Sequence, residues 1–289
     1  MTTSSVEVLP HVPPVGHGAA SESSDISALG ADLSLIAVLW RRDMIHLLRE
    51  RSRWLGVVIQ PLLFWGLIGS GLAGAFSLRD AAGLGYLEYL FPGILAMVVL
   101  FTAVFATMSV IEDRQQGFLQ QVMVVPGSRA ALVLGKTAGV TTMALIQAGL
   151  CLLVAPLAGF SLLAIDWPSL VLTLVLGCVG LTAINFALAW LVDSTAGYHG
   201  ILSIVLLPLW IVSGAMFPAA SGLAWIEPIM RANPMTYLVD ALRHSLYGGV
   251  APISHVSLGV ALLVLAGCAL AFVALAVWVV GRRLQGGRA

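Results

Sequence analysis

Asp193, Tyr198 and His199 are the one set of side chains in this sequence whose types and spacing suggest acid–base chemistry. A carboxylate, a phenol and an imidazole close together in the chain could donate and accept protons in an enzyme. No nucleophile pattern and no metal-ligand spacing accompanies them. A membrane-embedded active site is therefore one interpretation of the chain, but it lacks most of the groups that catalysis requires.

Gly135-Lys136-Thr137 imitates the end of a phosphate-binding loop, which would bring ATP to this chain. The full pattern needs a second glycine five residues before Gly135, and that position is Ala130. The segment also leads into an apolar stretch, with no strand before it. We therefore exclude nucleotide binding here, and any ATP that drives this protein has to be hydrolysed by a separate chain.

Residues 112–130 combine polar ends with a short apolar stripe. The stripe recurs at i, i+1, i+4 and i+5, so its members share one face of a helix: Phe118, Leu119, Val122 and Met123. Pro126-Gly127 ends this helix. A short amphipathic helix can insert into a groove on a partner protein or lie on the lipid surface, and the spacing alone allows both.

Residues 219–254 carry a second patterned stretch. Asn233-Pro234 predicts a helix start, because Asn caps free backbone N–H groups and Pro suits the first turn. Gly248-Gly249 predicts its end, and Asp240 and Arg243 are spaced to pair. The helix is too short to cross a bilayer. Two short helices that dip into the outer leaflet and return, or a small extracellular cap, both fit this pattern.

Six apolar stretches have to position these segments, and each is long enough to cross a bilayer core of about 30 Å. They are 54–76, 90–111, 137–159, 169–192, 200–218 and 256–280. None contains Asp, Glu, Lys, Arg or His. A proton-driven transporter needs an ionisable group at membrane depth. If this protein moves a cargo, the energy therefore enters from outside the membrane.

Composition gives the fold class and the compartment. The 289 residues are 59% hydrophobic and 10% charged, whereas soluble domains have about 25% charged residues. We expect an all-α integral membrane protein with six transmembrane helices. The net charge of zero gives no sign of a nucleic-acid partner. Eleven Lys and Arg fall on one side of the spans and three on the other, which predicts that both termini are cytoplasmic.

Residues 33–53 are expected to form a cationic amphipathic helix at the inner membrane surface. One helical face would be apolar and the opposite face basic, formed respectively by Ile36, Trp40, Met44, Leu47 and Leu48, and by Arg42, His46, Arg49 and Arg53. A plain basic anchor that only sets orientation is the alternative. The preceding residues 1–32 are rich in Ser, Pro and Gly early on and are expected to form a disordered cytoplasmic tail.

Small and polar residues inside the spans are expected to join helices. Gly135 and Gly139 have the spacing that lets two helix backbones approach, within one chain or between two copies. Thr141, Thr142, Gln147 and Asn185 are expected to bond to neighbouring helices and not to cargo. Cys151, Cys178 and Cys268 all lie inside spans and are expected to be buried small side chains.

Taken in order, these features resemble the membrane subunits of ABC transporters of the type-2 export family, over about residues 33–283. Three blocks carry the resemblance: the basic helix LWRRDMIHLLRERSRW, the connection with Glu112, Gly117, Pro126, Ser128 and Arg129, and the run Asn233-Pro234-Met235-Thr236-Tyr237-Leu238-Val239-Asp240-Ala241-Leu242-Arg243. The last block is the most specific.

The resemblance implies a half-transporter in the bacterial inner membrane, working as a homodimer with a cytoplasmic ABC ATPase. That partner would bind ATP and Mg²⁺, so this chain itself would hold no cofactor. A coupling helix would dock on the ATPase through Glu112, Arg114, Gly117, Phe118, Leu119, Val122, Met123, Pro126 and Arg129. The helix over 33–53 would be the connecting helix, with Trp40, Arg41, Arg42, Arg49 and Arg53. Re-entrant outer helices before the last span would contain Asn233, Pro234, Tyr237, Asp240 and Arg243.

Related chains of this kind often carry Glu where this sequence has Gln115, Gln116, Gln120 and Gln121. The expected charge pairing with an ATPase is therefore weaker here, although docking through apolar contacts remains. The leading expectation is an exporter permease for an apolar or amphipathic cargo of the drug, lipid or glycan class. A membrane enzyme and a passive channel are the alternatives. Residues 284–289 would form a short cytoplasmic tail.

Overall fold

The structure is a computed structural model that describes residues 17–49, 51–72, 84–115, 128–218, 225–249 and 251–286. The described residues are helical apart from short connections. The helices are α1 (His17–Arg49), α2 (Arg51–Leu72), α3 (Tyr86–Gln115), α4 (Arg129–Leu152), α5 (Trp167–Leu191), α6 (Thr195–Ala215), α7 (Ile226–Ala232), α8 (Pro234–Leu246) and α9 (Leu258–Gly286).

Side-chain caps explain where several of these helices begin. The side chains of Ser128, Asp166, Ser194 and Asn233 each accept a hydrogen bond from a backbone N–H in the first turn of α4, α5, α6 and α8. A cap of this type satisfies a backbone donor that has no partner within the helix. The polar residues between apolar stretches therefore fix the helix boundaries.

Helix α3 forms the centre of the fold. Every residue from Tyr89 to Val104 is buried, so this helix has no exposed side in that range. It packs against α2, α4, α5 and α8, and α5 makes extensive contacts with α9. Helices α6 and α9 lie at the periphery and expose most of their apolar side chains. The core of the protein is therefore one helix enclosed by the others.

Within the described residues, five helices are long and apolar enough to cross a membrane: α3, α4, α5, α6 and α9. The apolar part of α2, Gly56–Leu72, is shorter. The expected first span, 54–76, continues past Leu72 into residues outside the described ones. The expected third span was too long at its end: α4 stops at Leu152, because Pro156 and left-handed Gly159 (φ 102°) follow in a tighter 3₁₀ turn.

The N-terminal helix differs from its expected boundaries. Helix α1 begins at His17, before the expected start at residue 33, since 17–32 contain Ala and Ser but no Pro. Arg53 belongs to α2 and not to α1. Disorder in the tail stays a prediction for residues 1–16, which lie outside the described residues. At the other end, α9 continues to Gly286, beyond the expected boundary at 283.

Helix α6 is irregular along most of its length. Two wide π-helical turns, Leu202–Leu206 and Ile211–Ala215, interrupt its α-helical geometry. Gly214 has a left-handed backbone (φ 81°), which bends the chain at the end of the helix. Gly93 of α3 packs directly against Ala215 at this bend, where an added Cβ would lie 2.6 Å from the Ala215 Cβ. Wide turns of this kind often occur at functional sites.

Candidate functional site

The expected coupling connection lies mostly outside the described residues, which excludes Gly117, Phe118, Leu119, Val122, Met123 and Pro126 from structural description. Its entry is visible at the end of α3, where Glu112 is exposed. Arg114 donates hydrogen bonds to the carbonyl oxygens of Trp190 (3.1 Å) and Val192 and pairs with Asp193 (3.1 Å). Arg114 thus satisfies the free carbonyls at the end of α5 and fastens α3 to it.

The exit of the same connection is fastened to α1. The backbone N–H of Ser128 donates to Asp32 Oδ1 (2.6 Å), while the Ser128 hydroxyl accepts from the N–H of Ala131. Hydrogen bonds from the Ser128 side chain and backbone lower the pKa of Asp32, because they favour the ionised carboxylate. Arg129 lies against Gly281 of α9. The entry of the expected coupling connection is therefore held by α5 and its exit by α1 and α9.

Helix α1 packs against α4. The sequence predicts instead that its apolar face contacts the membrane surface. Its buried side chains are Leu35, Leu39 and Asp43, one helical turn apart. Leu39 contacts α4 at Gly135, which has no side chain. An added Cβ at Gly135 would lie only 3.1 Å from the Ile36 Cα, so the two helix backbones are close together. The expected close-packing spacing therefore joins two helices of one chain.

Four of the five residues expected to mark the connecting helix have described side chains, and their surroundings differ. Trp40 is partly exposed, and its Nε1 donates to the Thr142 hydroxyl (3.1 Å). Arg41 and Arg49 are exposed, and Arg42 is half-buried. A basic outer surface on a helix that is packed against the protein suits contact with lipid headgroups or with an acidic partner surface.

Lys136, the lysine of the imitated phosphate loop, lies inside α4 and bonds to other helices. Its Nζ contacts Asp43 Oδ1 of α1 (3.1 Å) and Ser109 Oγ of α3 (3.0 Å). The side chains of Lys136 and Asp43 are only 12% and 10% exposed. A P-loop lysine reaches a nucleotide at a helix N-terminus. This lysine instead joins three helices.

The block formed by residues 225–249 and 251–257 is centred on a fully buried arginine. Arg243 pairs with Asp240 (3.3 Å) and donates to the carbonyl oxygens of Gly214 and Ile253, each at 3.1 Å. Its guanidinium lies 4.6 Å from the centre of the Tyr89 ring. The Tyr89 hydroxyl also donates to the Gly214 carbonyl (2.7 Å). We call Tyr89, Gly214, Asp240, Arg243 and His255 the Arg243 cluster, since the backbone N–H of His255 donates to Asp240 (2.9 Å).

The local predictions for this block are confirmed. Asn233 caps α8 by accepting from the N–H of Met235 (3.0 Å), and Pro234 occupies the first turn. The helix ends before Gly248 and Gly249, both with left-handed backbones. The expected pairing of Asp240 with Arg243 is also present. The sequence predicts that water or the two side chains themselves satisfy this pair. Both side chains are buried: Asp240 accepts from Arg243 and from the N–H of His255, whereas Arg243 Nε has no hydrogen-bond partner among the described residues.

A polar cavity of about 650 Å³ opens beside α8. Its lining includes Tyr237, whose hydroxyl donates to the Arg231 carbonyl (2.7 Å), and an exposed pair of Arg231 with Glu227. Charged groups that pair with each other do not provide a free acid, base or ligand set. Asp240 and His255 of the Arg243 cluster also line this cavity, and the described residues hold no group of three or more potential metal ligands.

The candidate acid–base set does not come together. Asp193 is exposed and pairs with Arg114, and His199 is exposed. Tyr198 is buried, where it contacts Asn185 Oδ1 and Thr107 Oγ1, each at 2.8 Å. The three side chains therefore have separate surroundings, and Tyr198 joins α6 to α5 and α3.

The expected intramembrane polar groups bond mainly to neighbouring helices. Gln147 of α4 pairs with Thr102 of α3, in addition to the bonds of Thr142 and Asn185 described above. Thr141 is buried, and its hydroxyl has no described hydrogen-bond partner. Three of these four polar side chains therefore join helices, as predicted.

Sequence reasoning missed Asp32, Asp43 and Ser109. Asp43 had a readable signal, because it follows Leu35 and Leu39 at helical spacing and so lies on a face that is otherwise apolar. Its partner is 93 residues away, and no local pattern indicates such a pairing. Ser109 resembles any other small residue of an apolar span.

Comparison with known proteins gives a consistent result. The family model described as ABC-2 type transporter matches residues 34–247. The chain is 27% identical over 211 residues to a putative transport permease, ycf38, of Cyanophora paradoxa, covering 71% of this chain and 72% of that protein. It is 24% identical over 242 residues to nodulation protein J of Neorhizobium galegae, covering 80% and 88%. It is also 24% identical over 214 residues to the daunorubicin resistance ABC transporter permease protein DrrB1 of Streptomyces coeruleorubidus, covering 73% and 74%.

Proposed function

Because this chain belongs to the ABC-2 type transporter family, we propose that it is the permease subunit of an exporter powered by a separate cytoplasmic ATPase. The observation that carries the proposal is the attachment of both ends of the 112–130 connection to other helices of the chain. Arg114 fastens its entry to α5, and Ser128 fastens its exit to α1 and α4. A movement imposed on that connection by an ATPase is therefore passed to three helices.

The proposed cycle needs two packings of the helices, and ATP has to stabilise one of them through contacts that the other lacks. The 112–130 connection supplies those contacts by docking its apolar stripe on the ATPase. Two copies of the permease pair, so that each copy binds one ATPase subunit. The engagement of Lys136 by Asp43 and Ser109 supports the assignment of ATP hydrolysis to the partner.

This function predicts that the purified chain alone hydrolyses no ATP but forms a stable complex with its cognate soluble ATPase. Co-purification in detergent and a phosphate-release assay measure both properties. ATP turnover should appear only when the ATPase subunit is present. Turnover by this polypeptide by itself, or no complex under conditions in which both proteins are folded, contradicts the proposal.

We also propose six crossings of the bacterial inner membrane, with α2 as the first and both termini in the cytoplasm. The excess of Lys and Arg in the segments assigned to the cytoplasm supports this orientation. The apolar part of α2 has 17 residues, Gly56–Leu72, which is near the minimum for a crossing. Helices α7 and α8 then lie on the outer side and do not cross.

The orientation predicts which single cysteines react in intact cells. In a background that lacks Cys151, Cys178 and Cys268, a cysteine at exposed Ser254 should label with an impermeant thiol reagent. A cysteine at Ser245, which is fully buried and bonded to the Ala241 carbonyl, should not. Labelling is measured by gel shift of the purified protein.

A cysteine at Ser34, which is exposed on α1, is the matched control for the other side of the membrane. It should label only after the cells are opened. If Ser34 labels in intact cells and Ser254 does not, the topology is inverted. The coupling assignment of residues 112–130 then fails as well, because that connection would face away from ATP.

The proposed cargo is apolar or amphipathic, of the drug, lipid or glycan class. A groove of about 600 Å³ between α2 and α3 supports this class, since its lining is almost entirely apolar: Gly56, Val57, Ile59, Gln60, Leu63, Phe64, Leu67 and Phe105. Gln60 is its one amide side chain. The name of one relative refers to daunorubicin resistance. Transfer of that substrate class to this chain is part of the proposal.

A further inference from the structure

Among the described residues, the contact between α1 and α4 combines two glycines of α4 with one buried charged pair. Gly135 and Gly139 leave α4 without side chains where α1 crosses it, and a Cβ at Gly139 would lie 2.7 Å from Asp43 Oδ2. The two helices therefore touch at backbone distance over this stretch. Apolar contact is not directional, so such a surface alone permits α1 to slide along α4.

The buried pair of Asp43 with Lys136 has the features of an ion pair that fixes the register of two packed helices. Both side chains are about nine-tenths buried, yet Asp43 Oδ2 has no hydrogen-bond partner. The free-energy cost of removing two charges from water offsets much of their mutual attraction. This offset is largest when a lone pair is left without a hydrogen-bond partner. Such pairs contribute little stability compared with apolar side chains of the same shape, and their best-attested role is to select one register.

Two further polar contacts described between α1 and α4 are poorly placed for this role. The bonds of Asp32 with Ser128 and of Trp40 with Thr142 both lie at exposed positions. Water competes for exposed groups of this kind, so they hold a geometry weakly. Lys136 in addition bonds to Ser109 of α3, so the buried pair links α1 to two core helices at one point.

We propose that Asp43 and Lys136 are positioning residues that hold α1 in a single register on α4, so that α1, α3 and α4 move together when the ATPase acts. This inference rests on the proposed function. Without the pair, α1 still packs on α4 but slips, and movement of the coupling connection is no longer transmitted in full. The folded protein, its complex with the ATPase and ATP hydrolysis itself do not depend on the pair.

The test replaces both partners by apolar residues of similar shape, Asp43→Leu with Lys136→Met, in the complete complex with its ATPase. This double variant leaves no charge buried without a partner, so it should fold and assemble. The protein carries one cysteine, at Ser254, and is reconstituted in lipid nanodiscs, so that ATP and the labelling reagent reach opposite faces of the same molecule. The measurement is the rate at which an impermeant maleimide labels that cysteine, with and without ATP, next to the rate of ATP hydrolysis.

In the parent complex, ATP should change the labelling rate. In the double variant the change should fall by roughly 2- to 30-fold, while ATP hydrolysis stays at the parental rate. Ser34→Ala, which removes an exposed hydroxyl from α1, should respond to ATP like the parent. If the pair has a purely structural role, the two apolar residues of the double variant should support the full ATP response. A parental response in the double variant therefore overturns the inference.

The outcomes separate this inference from the proposed function. If ATP does not change the labelling of the parent, the exporter proposal itself is contradicted, and the inference falls with it. If the parent responds and the variant responds equally, only the inference is contradicted. If the double variant does not assemble, Asp43→Asn with Lys136→Met decides, since this variant keeps the shape of the Asp43 side chain and removes both charges of the pair. A parental ATP response in that variant then overturns the inference.

Discussion

Replacing Arg243 with leucine should unfold the block of residues 225–249 and 251–257, because the change leaves the Asp240 carboxylate buried without its charge partner. It also removes the donors to the carbonyl oxygens of Gly214 and Ile253. Breaking a buried ion pair from one side costs about 3–5 kcal/mol. We expect the unfolding temperature of the detergent-purified protein to fall by more than about 6 °C, measured by intrinsic fluorescence.

Arg231→Leu is the matched control for this substitution. Arg231 lies in α7, the short helix that precedes α8, and pairs with Glu227. Both of these side chains are more than half exposed. Loss of an exposed pair costs about 0.2–1 kcal/mol. Adding Asp240→Leu to Arg243→Leu should recover part of the lost stability, since no charge then stays unpaired. Equal unfolding temperatures for Arg243→Leu and the unchanged protein would show that the Arg243 cluster does not hold the block.

Placing a carboxylate in the apolar stripe, by Phe118→Asp or Leu119→Asp, should abolish transport while leaving the permease folded. In the docked state the added charge loses its water and gains no partner, at a cost of about 3 kcal/mol or more. This corresponds to binding of the ATPase that is weaker by about 100-fold. Pull-down of the ATPase at graded concentrations measures the effect, and thermal unfolding of the permease checks its fold.

Gln120→Glu adds the same charge beside the stripe and not within it, and should keep the ATPase bound. This comparison decides between the two interpretations of residues 112–130. If the stripe only rests on lipid, Phe118→Asp weakens that contact but leaves ATPase binding unchanged. Undiminished binding in both stripe variants therefore rejects docking through the stripe.

Local sequence patterns predicted the features that depend on nearby residues. Asn233 was recognised as a cap, and Asp240 with Arg243 as a pair, because each depends on residues within one helical turn. The apolar stretches likewise predicted the long helices, since membrane crossing requires apolar side chains over about 20 residues. These parts of the site follow from spacing alone.

The features that sequence reasoning missed depend on distant partners. Asp43 meets Lys136 across 93 residues, and Gly214 receives the Tyr89 hydroxyl across 125. Neither contact has a period or a spacing that could be read from the chain. The bend at Gly214 was also missed, because one glycine among many in the spans carries no sign of a left-handed backbone until its neighbours are known.

The complete enclosure of α3 has a consequence for biogenesis. N-terminal segments are synthesised first, and α8, which later covers α3, begins more than a hundred residues after Tyr86. At ordinary translation rates α3 therefore waits on the order of ten seconds for that partner. A helix that is apolar all round tolerates this delay in lipid, whereas in water it would aggregate. The bilayer thus solvates α3 until the later helices have been synthesised and pack around it.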